Sequence, residues 1–533
     1  MLDVLIKSGL VVDGSGGKAF FADVAIKDGK IRRIAPNITL EAHTTIDATG
    51  KVVSPGFIDN HTHGDYYCLF GTDAYHLLEQ GVTTEIAGNC GGGILPYYDG
   101  LLDSAKGMVP DALIEHVRNI TRDFRAFSEG TKDFKMGTNM ALYAPHGNIR
   151  ASVMGFSPDK PTPTQLKQMK SLMEEAMQCG FLGLSTGLIY PPSVYADRQE
   201  LIELCSIVAQ YHGCYSSHIR GECDTVVEAV AEAISIGEES GCDVVISHHK
   251  IGGLTNRGKS TDTLRLIQEA NERGTIRVRI DQYPYIAGQT ALIHTLPEQF
   301  AANGIHALIE QLKDPVFRNQ VGEVMFSPSS QSLLKCSGFD GCLILVAPKT
   351  PDYVGKTIAE IAGLLGRSPI DVTFDLLVEN SGDVDAAYFY QNEEDMLTIL
   401  AHSETMAGAD VGHNLEHYDH NKMNGAHPRG MSTFPKRLRM VRESNMFSLE
   451  EEIRRICYLP AQTANIDGIG LLLEGYQADI CVFDWQRITE NNDFMYPFKK
   501  NTGIDTVIVR GQIAVTHGEF TGIRAGMVLK KRT

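Results

Sequence analysis

The sequence predicts an α/β chain: a parallel (β/α)8 barrel with an inserted subdomain, plus a small β-sandwich domain formed by both termini. Three observations carry this. Eight apolar, strand-like runs alternate with helix-period segments through the middle of the chain, as in a TIM-type barrel. Both ends show only short strands and tight turns. One interval, from about Ile286 to Ile399, is several times longer than the others and reads as an insertion over the barrel mouth.

From the N-terminus, Asp3 to Ile6, Leu10 to Val12, Val24 to Ile26 and Ile31 to Ile34 are strand-like, with Asp28-Gly29 as a two-residue hairpin signal. Four short strands bury little by themselves and need a partner. Ala478 to Phe483, Thr506 to Val509 and Gln512 to Val515 have the same style, so residues 1–55 and 465–533 are expected to form one β domain. Residues 56–464 would be the barrel, with the insertion at about 286–399. Its strands are expected at Phe57–His61, Val82–Gly88, Thr138–Ala144, Phe181–Thr186, Cys214–Ile219, Asp243–His248, Arg277–Tyr283 and Thr405–Asp410. Helix-period segments between them include Thr164 to Cys179, Asp197 to Tyr211, Thr225 to Ser240 and Thr261 to Arg273. Within the insertion, Val354 to Leu365 and Pro369 to Val378 read as helices.

Composition bounds the partners. A 533-residue chain that is 43% hydrophobic and 21% charged is an ordinary globular composition. The net charge of −18 argues against nucleic acid or anionic membrane, which demand basic surface, and leaves a small-molecule ligand. No apolar run is long enough to span a bilayer. Met1 to Gly14 carries acids and a turn, so no signal peptide is expected. Eleven cysteines, an odd number without framework spacing, suit free thiols in a reducing, cytoplasmic setting.

Barrel active sites sit at the carboxyl ends of the strands. The first strand ends in His61-Thr62-His63, two imidazoles one residue apart that alternation turns to one face. The second reaches Cys90, the fifth His218, the sixth His248 and the eighth Asp410. Each has a plain structural reading: His218 as a hydrogen-bonded histidine, Cys90 as a packed thiol, Asp410 as a helix cap. Together they are the N, S and O donors of a zinc centre gathered on one rim. Val244 and Ile246 share a strand face with His248, which sends His249 to the other side. Lys250, two residues past His248, and Arg220, two past His218, are candidate cations for an anionic substrate. The alternative for Arg220 is an ordinary salt bridge to Glu222. Tyr190, Tyr283 and Tyr285 follow strand ends and could donate to a carboxylate or an oxyanion.

These stretches resemble a known family. Gly56-Phe57-Ile58-Asp59-Asn60-His61-Thr62-His63, Gly81-Val82-Thr83-Thr84, Gly88-Asn89-Cys90-Gly91 and Gly183-Leu184-Ser185-Thr186-Gly187-Leu188-Ile189-Tyr190 are similar to the N-acyl-D-amino-acid deacylase (D-aminoacylase) family of metal-dependent amidohydrolases. So are the surroundings of His218 and His248, Tyr283-Pro284-Tyr285, His427-Pro428-Arg429 and Thr433-Phe434-Pro435. The resemblance implies a tight Zn2+ held by Cys90, His218 and His248, with His61, His63 and Asp410 around a second, weaker position. It gives Lys250 the substrate α-carboxylate, and it alone supplies the preference for D-amino acids. Val411 in place of glycine, His413-Asn414 after it, and Gln289 where serine usually follows Ala287-Gly288 depart from the family pattern in loops that touch specificity.

The chemistry implied is hydrolysis of the amide of an N-acyl-D-amino acid to a carboxylate and a free D-amino acid. A metal with an open position brings the pKa of its water to about 7 and polarises a carbonyl. The resulting hydroxide would be the nucleophile and Asp410 the proton shuttle. Two rivals stand beside this reading. A cyclic-amide hydrolase of the dihydroorotase or hydantoinase kind would carry a metal-bridging lysine where Cys90 stands. A non-catalytic scaffold would have lost ligands, and all six are present.

Overall fold

The structure is a computed structural model that describes the whole chain except residues 70–72, 103–110, 302–303, 329, 413–419 and 533. His413-Asn414 lies outside the described residues. The middle of the chain forms the expected parallel barrel. Its strands are β1 (Phe57–Asp59), β2 (Val82–Ala87), β3 (Asn139–Leu142, continued by Ala144–Pro145), β4 (Gly183–Gly187), β5 (Cys214–His218), β6 (Asp243–Ile246), β7 (Val278–Gln282) and β8 (Thr405–Ala407). Neighbours pair in parallel from β1 to β3 and from the continuation of β3 round to β8. Closure between β8 and β1 is made by Asn60 N–H to the Ala407 carbonyl at 2.9 Å and Asp410 N–H to the His61 carbonyl at 2.8 Å. These strands are buried on both faces, as a barrel wall covered by helices must be, which is why they read as apolar runs.

Around the wall run α1 (Pro163–Gln178), α2 (Arg198–Gln210), α3 (Val226–Ser240) and α4 (Ser260–Arg273). Local chemistry sets their ends. Thr162 and Gln165 form a reciprocal capping box with Pro163 in the first turn, and Asp197 caps α2 by accepting from Glu200 N–H. Gly241 and Gly274 end α3 and α4 in the left-handed region that a side chain disfavours.

The termini combine as expected. Leu2–Val11, Phe20–Lys27, Lys30–Ala35, Ala42–Asp47 and Val52–Pro55 share one sheet with Ile480–Phe483, Ile504–Val509, Gln512–Thr516 and Glu519–Phe520. Asp3–Ile6 and Leu10–Val12 are one strand rather than two. It breaks register between Ile6 and Gly9; its first half pairs with Ala42–Asp47 and its second with Val52–Pro55. One face buries Val4, Ile6, Val24, Ile480 and Ile508; a second cluster joins Val52, Phe483 and Val507 to Phe57, Phe434 and Leu438 of the barrel side.

The long interval between β7 and β8 holds a three-stranded antiparallel sheet as well as helices. Ala287–Ala291 and Cys342–Val346 flank Asp385–Phe389, and Ile358–Leu365 and Pro369–Glu379 are helical. Its core of Leu308, Val321, Ile344, Ile361 and Phe374 is separate from that of the barrel. One expectation is corrected here: not all thiols are free. Cys223, just past β5, is disulfide-bonded to Cys336 of this insertion. A link across 113 residues leaves no spacing signal in the sequence. Among the described residues no helix is long and apolar enough to cross a membrane.

Candidate active site

Six side chains from five strand ends meet at the carboxyl rim. Ligating atoms of His61, His63, Cys90 and Asp410 all lie within 4.8 Å of one another, and so do those of Cys90, His218 and His248. Cys90 belongs to both groups. Its Sγ is 3.3 Å from Nε2 of His61 and 3.3 Å from Nε2 of His248, while Nε2 of His63 is 3.2 Å from Asp410 Oδ1. Close backbone packing sets the thiol in place: a Cβ on Gly187, at the end of β4, would run into the Cys90 carbonyl.

Strand alternation does not orient all of these residues. β6 ends at Ile246, before His248, and Cys90, His248 and Asp410 have φ of 52°, 35° and 54°. Three non-glycine residues in the left-handed region at one site mark a backbone bent for function at local cost. The prediction for His249 stands for a different reason than strand pleat: its Nε2 meets Thr263 Oγ1 of α4 at 2.9 Å.

A layer of acids holds the histidines. Asp281, at the end of β7, accepts from His248 N–H at 2.7 Å and lies 3.3 Å from His61 Nδ1. Glu222 lies 3.1 Å from His248 Nδ1. Nε2 of His248 faces Cys90; a metal held there would put the proton on Nδ1, with Glu222 as its acceptor, the arrangement common behind metal-bound imidazoles. Burial opposes ionisation of the Cys90 thiol, yet the charges of His61 and His248 hold its pKa well below the ordinary thiol value. Burial alone would lower His61, but Asp281 and Cys90 raise it well above the usual imidazole value. Protons on the imidazoles and a divalent cation answer the same surplus of negative charge. At His218 burial, then the charge of His248, lowers the pKa against the pull of Glu222 and Cys90, and neither buried ring nitrogen meets hydrogen-bond geometry with a described residue. A neutral imidazole with a free lone pair beside a thiolate fits zinc.

The rim opens into a cavity of about 610 Å³ lined by His63, Cys90, His218, His248 and Asp410 together with Tyr190, Lys250, Tyr283 and Arg429. Tyr190 packs edge-on against His218 at 5.1 Å, and Tyr283 lies beneath the Arg429 guanidinium at 4.5 Å. Lys250 reaches the cavity but is no lone cation: its Nζ is 2.5 Å from Glu222 Oε1 and 2.7 Å from His248 Nδ1. Arg220 differs from expectation. It is pinned by Glu232 at 3.1 Å and by the carbonyls of Val194 and Ala196, outside this cavity, and Glu222 is not its partner. Tyr285 packs against His427 and under Lys436 rather than in the cavity wall.

Sequence reasoning missed Arg429, Glu222 and Asp281 as parts of the site. Arg429 is almost fully buried; one nitrogen, Nη2, is 3.0 Å from Asp410 Oδ2, while Nε and Nη1 have no partner among the described residues. Burial opposes ionisation of Arg429, but Asp410 keeps it charged; in turn burial would raise Asp410, and Arg429 holds it well below the carboxylate range. The His427-Pro428-Arg429 stretch was the available signal.

An amidohydrolase family model matches residues 44–200. Across its length the chain is 33% identical to a D-aminoacylase of Alcaligenes xylosoxydans xylosoxydans, covering 99% of this chain and 98% of the relative. The structure superposes on an N-acyl-D-glutamate deacylase from Bordetella bronchiseptica, solved with zinc and a phosphonate mimic of the tetrahedral intermediate. The TM-score is 0.81 at 28% identity, over 99% of each chain. It also superposes on a D-aminoacylase described as having a binuclear metal centre, with TM-score 0.80 and 31% identity over 100% of each chain. The chain belongs to the D-aminoacylase family of amidohydrolases.

Proposed function

We propose that this chain is a zinc-dependent N-acyl-D-amino-acid deacylase, releasing a carboxylate and a free D-amino acid. The observation that carries it is the junction of two ligand groups at Cys90, beside a buried arginine with two donors that no described residue takes up. Cys90, His218 and His248 would hold the tight zinc, and His61, His63 and Asp410 the second position. When bound, such an ion acidifies water and polarises the amide carbonyl.

The rest is the work of side chains. Nε and Nη1 of Arg429 take the substrate α-carboxylate, with Lys250 and the Tyr283 hydroxyl beside it. Placing that anion fixes the scissile amide over Cys90 and Asp410. Asp410, kept ionised by Arg429, accepts the proton of the attacking water and passes it to the departing nitrogen. Tyr190, lining the same cavity, donates to the oxygen that gains charge.

Cys90 argues against the cyclic-amide hydrolases, which this barrel also resembles in outline. A D-hydantoinase superposes with a TM-score of 0.55 at 16% identity, a likeness of fold alone. The test is a hydrolysis screen of paired N-acetyl-D- and N-acetyl-L-amino acids with metal analysis of the same sample. Turnover of D substrates by zinc-loaded protein is expected. Metal-loaded protein that hydrolyses none of them would defeat the proposal.

A further inference from the structure

The acids of the cavity are not equally compensated. Asp410 pairs with Arg429 at 3.0 Å and Glu222 with Lys250 at 2.5 Å. Asp385, which lines the same cavity, makes no ion pair with any described residue. It begins the central strand of the insertion sheet, opposite Ala291. Strand alternation puts Gln289, Ala291, Asp385 and Ala387 on one face, and Gln289 and Asp385 both line the cavity. Gln289 is one of the positions where this chain leaves its family's pattern. Burial raises the pKa of Asp385, Asp383 adds to the rise, and Gln289 and Arg429 oppose it. His294 on the same wall supplies no cation: burial brings its pKa down to about 4. An acid so placed is costly to bury unless something positive reaches it.

Its position says which part of a substrate that is. The strand paired with Asp385 is tied to Arg429, the anchor for the α-carboxylate: His427 donates to the Ala287 carbonyl at 3.0 Å and accepts from Arg429 N–H at 3.0 Å, and Asp385 and Arg429 line one cavity. The α-carboxylate and the side chain leave the same Cα, whereas the acyl group lies beyond the scissile amide. A carboxylate near the anchor therefore meets the side chain.

We infer that Asp385, beside Gln289 on the cavity wall, is a specificity-determining residue that selects N-acyl-D-amino acids with cationic side chains, of the lysine or arginine kind, and disfavours acidic ones. The inference rests on the deacylase reading above. One ammonium paired with a partly buried carboxylate is worth roughly tenfold or more in kcat/KM.

The experiment compares N-acetyl-D-lysine, N-acetyl-D-norleucine (the same aliphatic chain without the ammonium) and N-acetyl-D-glutamate on the zinc-loaded enzyme. The lysine-to-norleucine ratio of kcat/KM is expected at about ten or above, with glutamate the poorest substrate. Asp385→Asn should bring the ratio close to one through KM, and Asp385→Glu should keep the preference. A wild-type ratio near one, or a ratio that survives Asp385→Asn, overturns the inference and leaves the deacylase reading intact. No turnover of any of the three overturns both.

Discussion

Oε1 of Glu222 lies 2.5 Å from Nζ of Lys250, and the pair is buried, with side chains 7% and 3% exposed. The same oxygen faces His248 Nδ1, and Tyr390 of the insertion donates to Oε2 at 2.9 Å. Burial would raise the Glu222 carboxyl, but Lys250 and His218 hold it well below its ordinary value. One carboxylate thus neutralises a cavity cation, orients a metal-binding imidazole and ties the insertion to the barrel mouth.

Glu222→Gln keeps the shape and removes the charge. Lys250 is then buried without a counterion, which costs about 3–5 kcal/mol. His248 loses the acceptor that fixes its tautomer, and affinity for divalent metal should fall about 10–100-fold. Chelator competition measures the second effect and denaturant unfolding the first. Adding Lys250→Met to Glu222→Gln should recover most of the stability and none of the metal affinity. Unchanged metal affinity in the single variant would separate Glu222 from the metal centre.

Cys90 bridges the two ligand groups, so Cys90→Ala should leave His218 and His248 short of a third donor and His61, His63 and Asp410 without their sulfur. Metal content per chain is expected to fall below one equivalent, with amidase activity lost in parallel. A variant that keeps full metal occupancy would remove Cys90 from the centre.

Much of this site was legible in the sequence, for a physical reason. Barrel ligands sit at the ends of buried strands, and a buried parallel strand is a visible apolar run. His61, His63, Cys90, His218, His248 and Asp410 each follow such a run. What alternation could not supply was the geometry past the last paired residue. The backbone turns left-handed at Cys90, His248 and Asp410, and a period of two carries no information there. Partnerships were also hidden. Arg220 finds Glu232 within its own following helix, whereas Lys250 finds Glu222 from the neighbouring strand end. Arg429 meets Asp410 from further along the chain, and Asp281 reaches His61 past the intervening β8. Only the closed sheet brings these pairs together.

Asp410 accepts from Arg429 on one oxygen and from His63 on the other, which keeps it a carboxylate at rest. Asp410→Asn retains the outline and loses the base. With general base catalysis worth about 10²–10⁴-fold, kcat should fall by that amount while KM changes little. Thermal unfolding checks that Arg429, left without its counterion, has not unfolded the barrel mouth. Turnover near that of the wild type would reject the proton-transfer role.

Asp479 makes a prediction about stability alone. It is buried where the terminal sheet meets β3, accepting from Arg510 N–H at 2.6 Å and from Asn139 Nδ2 at 2.9 Å. Burial nevertheless dominates and raises its pKa from 3.8 to about 6, against the hydrogen bonds of Arg510, Gln477 and Asn139. The folded chain therefore holds this proton more tightly than the unfolded chain. Below the unfolded value both states are protonated and the stabilising effect is complete. It is lost as pH rises through the folded value and stays lost above it. Between pH 5 and pH 7 the Asp479 contribution should drop by about 1 kcal/mol. An asparagine side chain cannot titrate, so the stability difference between wild type and Asp479→Asn, from urea unfolding at those two pH values, should shift by that amount in favour of the variant at the higher pH. A difference that is the same at both would mean that the junction holds Asp479 as a carboxylate throughout.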